Sequence, residues 1–243
     1  MSRATQMEAV YEFFGGVSAL LSADAASGAT SIEVNASLPL NVPLEVDVGS
    51  AQDEETVATA ISGTGPYTLT LQAALQYAHS TGAIVGTYET DTTVITGLNT
   101  VMRGEPFDIA DELLPVMVIT VPKSREYRYG GTSKIRGMAQ KKGIDYTIRL
   151  MVGALLSGPG TADQGAILLD EFYDIIDRIA NHIRGSDLAT PNDAKQLITA
   201  SFPSGASVRF GEDFTVQELH NREENTLRIV AVIETLSTEM VNA

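Results

Sequence analysis

The sequence predicts an α+β fold: a mostly antiparallel sheet with one long packed helix and an N-terminal helix, plus an inserted small all-β module. Three observations carry this reading. Residues 25–90 hold no Lys or Arg, and apolar and polar residues alternate there in SIEV, LEVDV, ETVATAI and TLTL. Turn-forming stretches, LPLNVP, GSAQDE and SGTGPY, separate those runs, as in a small antiparallel module. Beyond residue 90 the pattern changes to two apolar strands, PVMVITVP and DYTIRLMVGALL, followed by one strongly amphipathic helix.

The first 24 residues place Val10, Phe14, Val17 and Leu21 at helical spacing, with Gly15 and Gly16 weakening the helix. They belong with residues 91–243 to a host domain, into which residues 25–90 are inserted. After the insert, TTVITGLNTVMRG places Val94, Leu98 and Val101 on one helical face, with Gly104 as the stop. PVMVITVP, bounded by Pro115 and Pro122, reads as a buried strand. In DYTIRLMVGALL, Tyr146, Ile148, Leu150, Val152 and Ala154 share one face. The two make a hairpin joined across about twenty polar residues, a long mobile tip. Thr161 and Gln164 stand in the capping-box relation. Leu168, Phe172, Ile175, Ile179 and Ile183 then form a buried stripe, opposite Asp170, Glu171, Asp174 and Asp177, and Gly185 ends the helix. QLITASF, SVRF, DFTVQELH and NTLRIVAVIETLS close the chain as strands.

The charge is unevenly spread. The 243 residues carry 16 Lys and Arg against 31 Asp and Glu, a formal net charge of -15. Seven of those cations, Lys123, Arg125, Arg128, Lys134, Arg136, Lys141 and Lys142, fall in KSREYRYGGTSKIRGMAQKK, with one acid, Glu126. So acidic a chain does not coat nucleic acid, but the cluster marks a local contact device. With no Cys, disulfides and thiolate metal sites are impossible, which suits an intracellular or assembly-borne protein. No run approaches the roughly 20 apolar residues of a membrane span. FFGGVSALLSADAASGA ends like a signal peptide, but Glu8 and Glu12 stand where its basic and apolar regions belong.

A search for catalysis finds little. His79, His182 and His220 lie in three different elements, without metal spacing. Asp47, Asp53, Glu54 and Glu55 lack the alternating pattern of a calcium loop. Asp170, Asp174 and Asp177 are what the outer face of an amphipathic helix supplies anyway. No nucleophile elbow, phosphate loop or dinucleotide fingerprint is present, and Gly130-Gly131 and Gly158-Pro159-Gly160 read as turns. The expectation is a protein with no enzymatic activity, cofactor or metal.

The order of parts in the host resembles the tail terminator, or tail completion, proteins of tailed bacteriophages. It runs from an N-terminal helix to the Pro-flanked strand PVMVITVP and the charged hairpin SREYRYGG. The strand DYTIRLMV, the helix LLDEFYDIIDRIANHIRG and closing strands follow. The insert is similar to a small β-module of phage structural proteins. Its marks are a Gly-Ala-x-Ser-Ile-x-Val opening at Gly28 to Val34, a Glu-Thr-Val strand at Glu55 to Val57, Leu-Thr-Leu at Leu69 to Leu71, and a His-x-x-Gly-Ala-x-Val close at His79 to Val85.

The resemblance implies a virion protein of the tail or neck, assembled in the host cytoplasm, with no catalytic residues. Such terminators form a ring, commonly a hexamer, on the head-proximal end of the tail tube. The implied partners are further copies of the chain, the tail tube protein and the head connector or neck protein. DNA only passes through the lumen, and no membrane is involved. Another neck component is the competing reading: an adaptor, usually mostly helical, or a stopper, a small β-barrel. A third makes the insert a surface-binding module on a carrier domain.

Overall fold

The computed structural model describes residues 3–91, 93–104, 109, 113–128, 141–156, 166–184, 210–223 and 226–242. Its elements form an α+β protein with two six-stranded sheets.

The chain opens with helix α1, Arg3–Phe13. Gly15, at φ 107°, ends it: Gly16 N–H donates to Tyr11 O and Gly15 N–H to Glu12 O, the paired bonds of a glycine-capped C-terminus. The two glycines read as a weakness are thus the stop signal, and Val17 and Leu21 fall outside the helix. Gln6, Glu8 and Glu12 are buried along with Val10 and Tyr11, so α1 has no polar outer face.

The first sheet combines β1 (Ser18–Leu20), β2 (Ser31–Val34), β3 (Pro43–Val46), β4 (Glu54–Ser62), β5 (Tyr67–Leu71) and β6 (Ile84–Thr87). Their order is β1-β6-β3-β4-β5-β2. Leu21 bridges Val34, Ser22 N–H donates to Glu33 O and Asn35 N–H to Leu20 O, so the sheet closes on itself as a small barrel. Inward positions of the alternating runs, among them Ile32, Val34, Leu44, Val46, Leu69 and Val85, fill it. The barrel takes in Ser18–Leu20, which the sequence assigns to the host. That three-residue strand is too short to leave a period of its own. Thr87 N–H donates to Val17 O, placing entry and exit side by side.

The second sheet has β7 (Glu89–Thr90), β8 (Thr100–Arg103), β9 (Val116–Arg128), β10 (Lys141–Leu156), β11 (Phe210–Glu223) and β12 (Thr226–Asn242). The order is β11-β12-β10-β9-β8-β7, antiparallel except for β8 beside β9. On one face Ile148, Leu150, Val152, Ile229, Ala231 and Ile233 form a core with α1 and with α2, Leu169–Arg184. Phe172, Ile175, Ile179 and Ile183 of α2 are buried there as the periodicity predicts. Leu168 is not: it is 58% exposed and precedes the helix, its N–H held by the Glu171 carboxylate. Thr161, Gln164, Gly185 and QLITASF lie outside the described residues.

The expected helix over Val94–Val101 is absent. Gly97 takes φ 98°, and Arg178 of α2 donates to Thr96 O at 2.7 Å, so the chain crosses α2 as a loop before entering β8.

Candidate functional site

The basic hairpin is longer and more ordered in its lower half than its composition suggests. β9 does not stop at Pro122. Lys123 pairs with Thr147 and Thr120 with Arg149, so β9 carries one extra residue there, a β-bulge. Proline removes a ladder donor, and a bulge is where a strand tolerates that. Pairing then resumes through Arg125 with Asp145 to Arg128 with Lys142. The arm is a paired ribbon through Arg128 and Lys142, not a twenty-residue loop.

Parity across the bulge decides which face the cations take. Lys123 and Arg125 share the face of Thr147, Asp145 and Arg149, opposite the helical layer, and both are exposed. Arg149 is ion-paired with Glu234, its cross-strand partner on β12, at 2.6 Å. The backbones of Arg128, Lys141 and Lys142 lie in the ribbon. Lys134 and Arg136 lie outside the described residues. Farther down the same face, Leu114, Val116, Val118, Thr120 and Met151 line an apolar groove of about 480 Å³.

A second constellation fixes the barrel against the sheet that bears the arm. Arg103, at the end of β8, is only 2% exposed. Its Nη1 donates to Glu45 Oε2 at 2.7 Å and its Nε to Thr87 O at 2.9 Å, while Nε also lies 3.1 Å from Glu8 Oε2. Tyr11 and Thr87 share a hydrogen bond of 2.7 Å between their hydroxyls, and Ser18 bonds the Glu12 carboxylate. Strand, helix and barrel therefore meet around one guanidinium, whose fork suits several acceptors at once. Burial pushes the Glu8 carboxyl up to about 7, with the Arg103 charge pulling the other way.

Within the barrel, buried His79 faces Glu54 through Nε2 at 2.7 Å and Asp47 through Nδ1 at 3.4 Å. Gln76 N–H and Tyr77 N–H also donate to Glu54. Burial works against its ionisation, but these donors hold the Glu54 carboxyl below the usual range. Two of the acids considered for calcium are thus partners of a histidine. Asp174 lies 3.9 Å from Arg178 one turn along α2, and His182 Nε2 is 3.2 Å from Phe13 O.

The cation cluster of the arm is visible in the sequence, whereas the junction around Arg103 is not singled out there. Its signal was present: Arg103 is the single Lys or Arg between Arg3 and Lys123. A lone cation in an acidic stretch is a candidate for a buried pair.

Among the described residues no group of three or more His, Cys, Asp or Glu is placed to hold a metal ion, and no helix is long and apolar enough to cross a membrane. No protein-family model and no curated protein sequence matches this chain.

Proposed function

We propose that the chain is a structural component of a phage tail that ends tube growth, a tail terminator acting as a ring of identical copies. The observation that carries the reading is the arm. A chain of net charge -15 gathers seven of its 16 cations between residues 123 and 142, and five of them belong to the paired strands β9 and β10. Lys123 and Arg125 are exposed on the face turned away from the helical layer. Such a ribbon suits contact with an acidic protein rim, where cations steer encounter and orientation. The order of helix, hairpin, helix and closing strands agrees with the family resemblance. The direct test is polymerisation of tail tube protein with and without the chain. A terminator arrests growth at substoichiometric amounts; tubes that grow equally in both mixtures exclude it.

The barrel favours a second reading. A closed six-stranded barrel is the architecture expected of a neck stopper. In that case the purified chain binds head connectors and leaves tube growth unchanged.

A further inference from the structure

The barrel and the larger sheet meet across a polar joint. Their two apolar cores share no residue. They are joined by the Tyr11–Thr87 and Ser18–Glu12 bonds, by the bonds of Arg103 to Glu45, Thr87 O and Gly86 O, and by a close approach of Gly49 to Ala4. The chain passes between them at residues 14–17, with Gly15 at φ 107°, and again at residues 87–88.

Glu8 lies in this joint and is fully buried. The cation facing it is Arg103 of β8, whose Nε is 3.1 Å from Glu8 Oε2. The bonds of that guanidinium go elsewhere: Nε to Thr87 O, Nη1 to Glu45, and Nη2 to Gly86 O at 3.4 Å. Neither oxygen of Glu8 has a hydrogen-bond partner among the described residues. The Ser18 hydroxyl of β1, which also faces Glu8, bonds Glu12 on the same helix. The other titratable neighbours are Glu45 of β3 and the Tyr11 phenol of α1. β9 and β10, which also pack on α1, bring the apolar Met117, Ile119 and Ile148 to the core it shares.

The joint thus sets two carboxyls against one cation. Glu45 is partly exposed and bonded to Arg103 at 2.7 Å, so it holds the ion pair. An ionised Glu8 brings a net negative charge into a buried space with no donor to receive it, which is costly unless water enters. A protonated Glu8 leaves the joint neutral.

We infer that this joint is a proton-controlled latch: Glu8 holds barrel and sheet together while it carries a proton, and its ionisation admits water and frees the barrel with both apolar cores intact. A region opens locally where few buried apolar contacts must break, and separate cores meet that condition. Burial raises the Glu8 carboxyl to about 7, so the latch is closed below that value and opens as pH rises through it. The latch does not depend on the ring reading.

The chain has no Cys, so spin labels can be placed at Ala60→Cys on β4 and Asp177→Cys on α2, both exposed. Pulsed electron paramagnetic resonance then reads the distance from barrel to helix below, at and above neutral pH. The wild-type background should give one narrow distance in acid and a second, broader population that grows as pH passes about 7. Glu8→Gln should keep the narrow distance throughout. Glu45→Gln removes one carboxyl from the count and leaves the Arg103 charge to an ionised Glu8, so the second population should appear only at higher pH. Circular dichroism should show the same secondary structure at each pH. A single distance at every pH in the wild-type background, the same broadening in Glu8→Gln, or loss of secondary structure together with the narrow distance would overturn the latch. An onset in Glu45→Gln at or below that of wild type would overturn the charge count on which it rests.

Discussion

Arg103 holds Glu45 at 2.7 Å, and through that one pair a strand of the larger sheet is locked to a strand of the barrel. Glu8 of α1 is drawn to the same guanidinium. The barrel is therefore not a free appendage, although its hydrophobic core is its own.

Removing Arg103 leaves buried Glu8 without its cation and Thr87 O without its donor. Arg103→Met, which keeps the bulk, should cost about 3–5 kcal/mol, the range for breaking a buried ion pair from one side. Urea unfolding followed by circular dichroism checks this. A loss under about 1 kcal/mol would mean the junction is solvated in solution.

Glu8 makes stability depend on pH. Its pKa in the folded state, about 7, lies above the ordinary 4.5, so the folded chain keeps a proton that the unfolded chain releases between those values. The contribution is fully present below the ordinary value and is lost as pH rises through about 7. Glu8→Gln removes this term, so the variant should gain on wild type across that window by an amount on the order of 3 kcal/mol. Urea midpoints of both proteins across the window measure the difference. Parallel pH profiles would show that Glu8 is ionised throughout.

Gly16 touches the same junction. A Cβ there would stand 2.2 Å from Tyr11 Cδ1, and relief of that clash displaces the ring that bonds Thr87. Gly16→Ala should lower stability by roughly 1–3 kcal/mol. Thermal melts of the variant and of Tyr11→Phe separate the clash from the lost hydrogen bond. An unchanged melting temperature in Gly16→Ala contradicts the packing described.

How much of this was legible in sequence depended on whether a residue's role was local. The small β-module showed itself because SIEV, LEVDV and TLTL alternate and LPLNVP, GSAQDE and SGTGPY separate them. The stripe of α2 showed itself for the same reason. α1 was legible as a helix but not in its extent, because a helix packed between barrel and sheet buries Glu8 and Glu12 as well as Val10 and so has no apolar stripe. β9 looked complete at Pro122 because a bulge is invisible to a one-strand pattern. Arg103 was hidden because its partners, Glu8, Glu45 and Thr87, come from three separate elements.

Reversing Lys134, Arg136, Lys141 and Lys142 to Glu should leave the fold intact and slow the capping of tail tubes. The wild-type rate should itself fall as salt rises, because exposed charges are screened beyond about 10 Å at roughly 0.1 M salt. Stopped-growth kinetics at low and moderate salt compare the two. Equal rates for wild type and the reversed variant would make the cluster an ordinary solvated surface.

Copies of this chain are proposed to form a ring on the end of a tube. Negative-stain electron microscopy of the chain mixed with tail tubes addresses it most directly. The expected image is a ring with a central hole seated on one end of each tube, with the other end bare. Tubes with both ends bare, beside particles that show no central hole, would contradict it.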